Sequence, residues 1–372
     1  MANSIRIRHP PENSEQGRAK SFRSKPKPMM VLSISAGIKL SAKEDSLTLS
    51  ATDLEISIEK TIQADVKVPG EIVVPGKVFA DFVKKLSNEQ IELSLNEGNT
   101  LRIKYTDSEG SLQCLNADEF PIIKELTSPD RITMAPTELK DLIDKTIFSV
   151  ALDDARPILK GCLFEINDGE MTSVALDGYR LAMVKTPVFS TAKTLSCIIP
   201  AKSLSEISKL IRTDTDSVDI LISKNHLMID DGQVKIITRL LEGEFINYRQ
   251  VIPSSSSTTI LVSKAQLEDG LERASLLARM DKNNLVRFDI RDKVLTITSA
   301  SNIGNVTENI TVSLEGKDLT IAFNARYLSD CMHTISDEFI KINFSSQIAP
   351  CTICSAEEDK YLYLILPVRI VE

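Results

Sequence analysis

Three near-copies of one segment, spaced about 124 residues apart, run through a chain of 372 residues. They are VPGKVFADFVKKL (74–86), IPAKSLSEISKLI (199–211) and IAFNARYLSDCMHTI (321–335). Superimposed, Phe79 falls on Leu204 and Leu328, and Lys77 on Lys202 and Arg326. A period of this length can bury a core of its own, so it marks whole domains and not the short units of a solenoid. One domain design is used three times.

Other elements recur in the same register. LTLSATDLEISIEKTI (47–62), MTSVALDGYRLAMVKTPV (171–188) and LTITSASNIGNVTENITV (295–312) alternate β-branched and polar residues about a polar break, the pattern of two strands joined by a turn. IELSLNEGNTLRIKY (91–105), VDILISKNHLMIDD (218–231) and IKINFSSQIAPCTIC (340–354) are again hairpin-like, and YLYLILPVRI (361–370) reads as a closing strand. Helical periodicity is confined to the repeated segments at 78–86, 203–212 and 327–335 and to TELKDLIDKTIFSV (137–150) and KAQLEDGLERASLL (264–277). The expectation is an α+β fold, three repeated domains of antiparallel sheet with two helices each. Proline-bearing stretches place their limits at 1–130, 131–256 and 257–372.

No apolar run approaches the roughly 20 residues of a membrane span. The basic start lacks an apolar signal core, and six irregularly placed cysteines suit a reducing compartment, so a cytoplasmic location is expected. No phosphate-binding loop, nucleophile elbow or metal-ligand spacing occurs, and Cys351 and Cys354 on one strand would point to opposite faces. A non-catalytic protein without cofactor or metal is therefore expected. The net charge of −8 argues against a nucleic-acid partner, but residues 1–30 carry +5 and the remainder −13. Where the positive charges lie matters more than their sum.

On the helix at 78–86, Phe79, Phe82, Val83 and Leu86 form one apolar stripe, with Lys77 and Lys84 roughly opposite it. The equivalent positions are Lys202 and Lys209, then Arg326 and His333. An exposed lysine also serves solubility alone, but solubility does not demand the same two positions in three diverged copies. A shared anionic partner does. With no aromatics interleaved, the contact would be with phosphate and independent of sequence.

ALDDARPILKGCLFEI (151–166), VALDGYRLAM (174–183), EGEFINYRQVIP (242–253) and YLYLILPVRI (361–370) together resemble the bacterial β sliding clamp family, processivity subunits of the replicative DNA polymerase (polymerase III). The resemblance runs in order from about Gly37 to the C-terminus. It implies the DNA clamp fold, a head-to-tail homodimer closing a six-domain ring around double-stranded DNA, and helices lining the hole. Lys77, Lys84, Lys202, Lys209 and Arg326 would then face DNA, with Lys145 and Arg273 as further candidates. It also implies a pocket between the second and third domains for short peptides, broadly Q-L-x-L-F, of the polymerase catalytic subunit, the clamp loader and repair proteins. The matching positions are Leu159, Leu176, Gly178, Tyr179, Arg180, Leu181, Ile246, Val251, Leu364, Leu366, Pro367, Val368 and Arg369. Leucines in strands are also plain core, and Gly178 is also a turn residue. Leu276 and Leu277 are the candidates for the third-domain side of the dimer contact.

Several positions depart from the family pattern. Tyr179 replaces a frequent His, Ile246 a frequent Pro, and Gln250 a common basic residue, while Gly110 stands where an aromatic is often found at the dimer edge. Residues 1–30 should supply a strand and a helix, yet they hold four prolines and no helical period. A basic arm, a diverged helix and a shifted reading frame compete for that stretch, and the last two together are favoured over a functional arm because the repeat leaves a core position unfilled there. A repeated-domain interaction scaffold that does not encircle DNA is the competing function.

Overall fold

A computed structural model describes residues 3–7, 37–86, 90–96, 98–123, 126–127, 129–280, 284–357 and 359–369. The chain forms two compact units, Met1–Thr137 with Ser205–Leu240 and Glu138–Leu204 with Leu241–Glu372. The described helices are α1 (Gly76–Val83), α2 (Pro136–Asp144), α3 (Ala201–Leu210), α4 (Lys264–Ala278) and α5 (Ala325–Met332). Strands among the described residues pair antiparallel, and most pairs join neighbours in sequence.

Each sequence-expected hairpin is present. Ser46–Thr52 pairs with Ile56–Gln63, Glu170–Leu176 with Arg180–Pro187, and Val294–Ser301 with Gly304–Thr311. Each repeat also has a set of three consecutive strands, and in each an earlier strand pairs with the first of that set. In the second repeat this is Asp130–Met134 on Val218–Ile222, and in the third Thr258–Ser263 on Phe339–Phe344. In the first it is Asn3–Ile7 on Ile91–Asn96. The opening strand of the first repeat thus exists, within a stretch that has no helical period. The helix expected after it lies outside the described residues.

Two pairings carry sheet from one repeat into the next. Ile56–Gln63 pairs with Val234–Arg239, and Arg180–Pro187 pairs with Tyr361–Ile365. In both, the second hairpin strand of one repeat meets the last strand of the three-strand set of the following repeat. In the second unit the result is a nine-stranded sheet running from Thr194–Pro200 at one edge to Ser313–Gly316 at the other. The closing strand ends at Ile365, earlier than the sequence pattern reaches, because Pro367 has no N–H to continue a ladder.

The third-repeat core shows why these helices pack here. Leu267, Leu271, Ala274 and Ala278 recur every three or four residues on one face of α4, and all are buried. They join Leu328, Cys331 and Met332 of α5 against Val286, Phe288, Leu295, Ile297 and Phe323 of the sheet. In the first repeat Phe79 is buried, with Phe82, Val83 and Leu86 packed against the same core.

The hairpin turns repeat in atomic detail. Asp53 Oδ1 accepts the N–H groups of Glu55 at 3.1 Å and Ile56 at 2.9 Å. Asp177 Oδ1 accepts those of Tyr179 at 2.9 Å and Arg180 at 3.0 Å. The residue between must take a positive φ, +95° at Gly178 but +74° at Leu54. A leucine there meets its own carbonyl, and Leu54 is 70% exposed, so packing offsets little of the strain. Leu54→Gly is expected to stabilise the protein by about 0.5–1 kcal/mol, net of the entropy glycine adds to the unfolded chain. Chemical denaturation checks this, and a destabilised variant would contradict it.

Candidate functional site

The cationic positions divide into two kinds. Lys77, Lys202 and Arg326 are each the second residue of their helix, and α1, α3 and α5 have no acidic residue in the first turn. Free N–H groups and the helix dipole make that end positive, so a cation there is unfavourable by about 0.3–1 kcal/mol and an anion is favoured. Helix stability does not explain three such placements, and a helix N-terminus is where an anion is favoured. Lys84, Lys209 and His333 sit at the opposite helix ends, where a cation is favourable anyway.

Several of these cations already have carboxylate neighbours. Lys84 lies 3.5 Å from Asp81, Lys209 3.0 Å from Glu206, Lys145 2.7 Å from Asp141 and Arg326 3.9 Å from Asp330. Arg273 makes two 2.8 Å bonds to Glu308, on the edge strand Gly304–Thr311. Such exposed pairs are weak and exchange readily with a competing anion. Among the described residues Lys77 has no carboxylate partner.

The residues proposed for a peptide pocket are brought together within the second unit. Leu159, Leu176, Leu181 and Leu364 are buried in one cluster with Tyr248, and Ile246 packs against it half-buried. These four leucines lie below the surface and form an apolar floor. Tyr179 at 62% exposed and Val251 at 47% stand out above it, with Leu366 also exposed and Pro367 and Val368 half-buried. The tail is tied down beyond its strand: Leu366 N–H donates to Tyr179 O at 2.9 Å and Val368 N–H to Ala322 O at 2.8 Å. Arg369 is exposed.

Arg180 differs from the other pocket candidates, being only 6% exposed. Its Nε donates to Asp177 Oδ2 at 3.0 Å, Nη1 to Asp330 Oδ2 at 2.6 Å and Nη2 to Phe148 O at 2.7 Å. Its central carbon lies 4.7 Å from the Tyr327 ring centroid and 5.5 Å from that of Phe148. Sequence reasoning missed Phe148, Tyr327 and Asp330. Asp330 and Tyr327 lie in the repeated helix, but their contact with Arg180 spans about 150 residues and has no local signal.

At the edges of the terminal repeats, Leu276 is 63% exposed and Leu277 half-buried on α4, which packs against Gly304–Thr311. Gly110 lies on the edge strand Ser108–Gln113. A Cβ at this position would come within 3.3 Å of the Phe82 ring, which also meets Tyr105 edge-on at 5.6 Å. Helix α1 thus supplies an aromatic ring where the strand has none.

Burial pushes the Cys162, Cys197 and Cys351 thiols up to about 12, which makes them inert as nucleophiles. The phenols of Tyr248, Tyr361 and Tyr363 are likewise raised above their ordinary value of 10.0, first by burial. Tyr248 also donates to Glu165 at 2.7 Å and Tyr361 to Asp337 at 2.6 Å. The fold favours the neutral phenol, so this stability is complete below pH 10 and is lost as pH rises through the raised folded values. Alkaline titration followed by phenolate absorbance is expected to show these rings ionising only together with unfolding. Ionisation of all six tyrosines with the fold intact would contradict this.

The chain matches three domains of one family along its length. Residues 25–124 match the DNA polymerase III beta subunit N-terminal domain, 133–247 the central domain and 249–369 the C-terminal domain. It is 32% identical over 352 residues to the beta sliding clamps of Staphylococcus epidermidis and Staphylococcus aureus, covering 92% of this chain and 93% of each relative. The DNA polymerase sliding clamp of Bacillus subtilis superimposes with a TM-score of 0.93 at 28% identity, over 100% of both chains. The DNA polymerase III beta chain of Streptococcus pneumoniae does so with a TM-score of 0.91 at 26% identity, again over 100% of both. The chain therefore belongs to the DNA polymerase III beta subunit family, the β sliding clamps.

Proposed function

We propose that this sliding clamp closes head-to-tail with a second copy into a six-domain ring around duplex DNA, and so holds the replicative polymerase on its template. The observation that carries the reading is the strand rule between repeats. The second hairpin strand of each repeat pairs with the last strand of the next repeat's three-strand set. Applied to the ends of the chain, the rule leaves Gly304–Thr311 and Ser108–Gln113, each at the edge of its sheet among the described residues. Pairing these two edges between copies continues the rule twice and closes the assembly, which is a heterologous contact that ends in a ring. Leu276, Leu277 and the Phe82 ring over Gly110 would lie at that contact.

The three domains are residues 1–130, 131–256 and 257–372, with the second divided between the two compact units. Lys77, Lys202 and Arg326 face the DNA backbone at helix N-termini, assisted by Lys84, Lys209, Lys145 and Arg273. The ion pairs of Lys84, Lys209, Lys145, Arg273 and Arg326 keep their phosphate contacts weak, so the ring slides while topology keeps it on. The apolar floor of Leu159, Leu176, Leu181 and Leu364, rimmed by Gly178, Tyr179, Ile246, Val251 and Leu366–Arg369, takes peptides of the Q-L-x-L-F kind from the polymerase, a clamp loader and repair proteins. A clamp of this kind performs no chemistry and works in the cytoplasm. Among the described residues no helix is long and apolar enough to cross a membrane.

Loading onto a nicked circle with a clamp loader and ATP tests the reading. The protein is expected to stay on the circle through a high-salt wash and to leave when the circle is linearised. Equal retention on circle and line would overturn encirclement and favour a non-encircling scaffold.

A further inference from the structure

We propose that Asp330 and Arg180 form a positioning pair that sets the rim of the peptide site, and that Arg180 acts from behind the surface and is not itself a peptide ligand. The proposal rests on the reading of this surface as a peptide site. Arg180 is nearly fully buried, and its three hydrogen-bond partners come from three separate segments of the chain, Phe148, Asp177 and Asp330. Two aromatic rings, Phe148 and Tyr327, lie against its guanidinium. A side chain held this way has little left to offer a peptide.

What it does hold reaches the surface in two steps. Asp177 takes the Arg180 side chain on one oxygen and the N–H groups of Tyr179 and Arg180 on the other. This fixes the turn at Gly178. Tyr327, under the guanidinium at 4.7 Å, stacks on Tyr179 with centroids 6.2 Å apart and planes at 22°. Tyr179 in turn accepts the N–H of Leu366. The exposed ring and the exposed leucine of the rim are thus placed by one buried cation.

Asp330 is the partner that local structure does not require. Asp177 already supplies a countercharge from the same turn, three residues away. Asp330 comes from α5 of the following repeat and gives the shortest of the three bonds. Its carboxylate also lies 3.9 Å from Arg326 on the same helix, so it stands between the rim and the cationic helix end. A buried charge tied to distant segments is a means of fixing one geometry more than a source of net stability.

The test uses the full chain and a fluorescent peptide bearing Gln-Leu-Ser-Leu-Phe. Affinity, thermal stability and near-ultraviolet dichroism are measured for the wild type, Arg180→Lys, Asp330→Asn, Asp330→Glu and the Arg180→Lys/Asp330→Asn double variant. With no tryptophan in the chain, tyrosines dominate the long-wavelength end of that dichroism, and the stacked Tyr179–Tyr327 pair contributes to it. Arg180→Lys and Asp330→Asn are each expected to weaken the peptide by about three- to tenfold and to change the tyrosine signal. The double variant should be no weaker than the weaker single, and Asp330→Glu should bind within about twofold of wild type. Wild-type affinity in Asp330→Asn, or losses that multiply in the double variant, would overturn the pair. A weakened Arg180→Lys with an unchanged tyrosine signal would make Arg180 a direct ligand and overturn it too. If Arg180→Lys fails to fold, the two Asp330 variants carry the test. If the wild type binds no peptide, the peptide-site reading fails separately. The dichroism then decides whether the pair sets the rim: a change in both single variants supports it, and no change overturns it.

Discussion

Strand pairing between successive repeats is the constraint on which the rest of this clamp depends. Arg180–Pro187 and Tyr361–Ile365 belong to different repeats, yet their ladder lies in the middle of a nine-stranded sheet. The residues at that ladder are core: Leu181 faces Leu364, and Ala182 faces the fully buried Tyr363. An unpaired sheet edge is a standing invitation to another chain. Each repeat satisfies one edge of its neighbour, and by the same rule the edges Gly304–Thr311 and Ser108–Gln113 are the ones a second copy would satisfy.

The two proposed working surfaces both follow from that junction and from the helices beside it. The proposed peptide site sits where the ladder ends, because Pro367 stops the strand and leaves Leu366 hydrogen-bonded to the Tyr179 turn of the preceding repeat. Most of the cations proposed to face DNA belong to the repeated helix, whose apolar stripe is fixed by the sheet beneath it. Once that stripe is packed, the second residue of each helix has nowhere to point except away from the core. Lysine or arginine there works against the helix dipole, and a phosphate reverses that penalty. Helix α5 serves both surfaces, with Arg326 at its start and Asp330 one turn later.

Much of the fold was legible because its signals are local and occur three times. The hairpins at 46–63, 170–187 and 294–311 and the long helix α4 fall where alternation and 3.6-residue periodicity put them. The repeat also told which cations to compare, but not that Lys77, Lys202 and Arg326 begin their helices, since boundaries shifted by one to two residues decide that. The opening strand Asn3–Ile7 was missed, because five residues carry too little alternation to stand out. The buried state of Arg180 was illegible as well. A residue in a D-G-Y-R turn reads as exposed, and only Phe148 and Asp330, brought in from distant segments, make it a core cation.

Amide hydrogen exchange over a dilution series tests the central claim, that the strand rule continues between copies. The account predicts that alternate amides of Gly304–Thr311 and of Ser108–Gln113 pass from fast to slow exchange together as the protein is concentrated. Exchange that stays fast in either strand at every concentration, or is already slow in the dilute monomer, would contradict it.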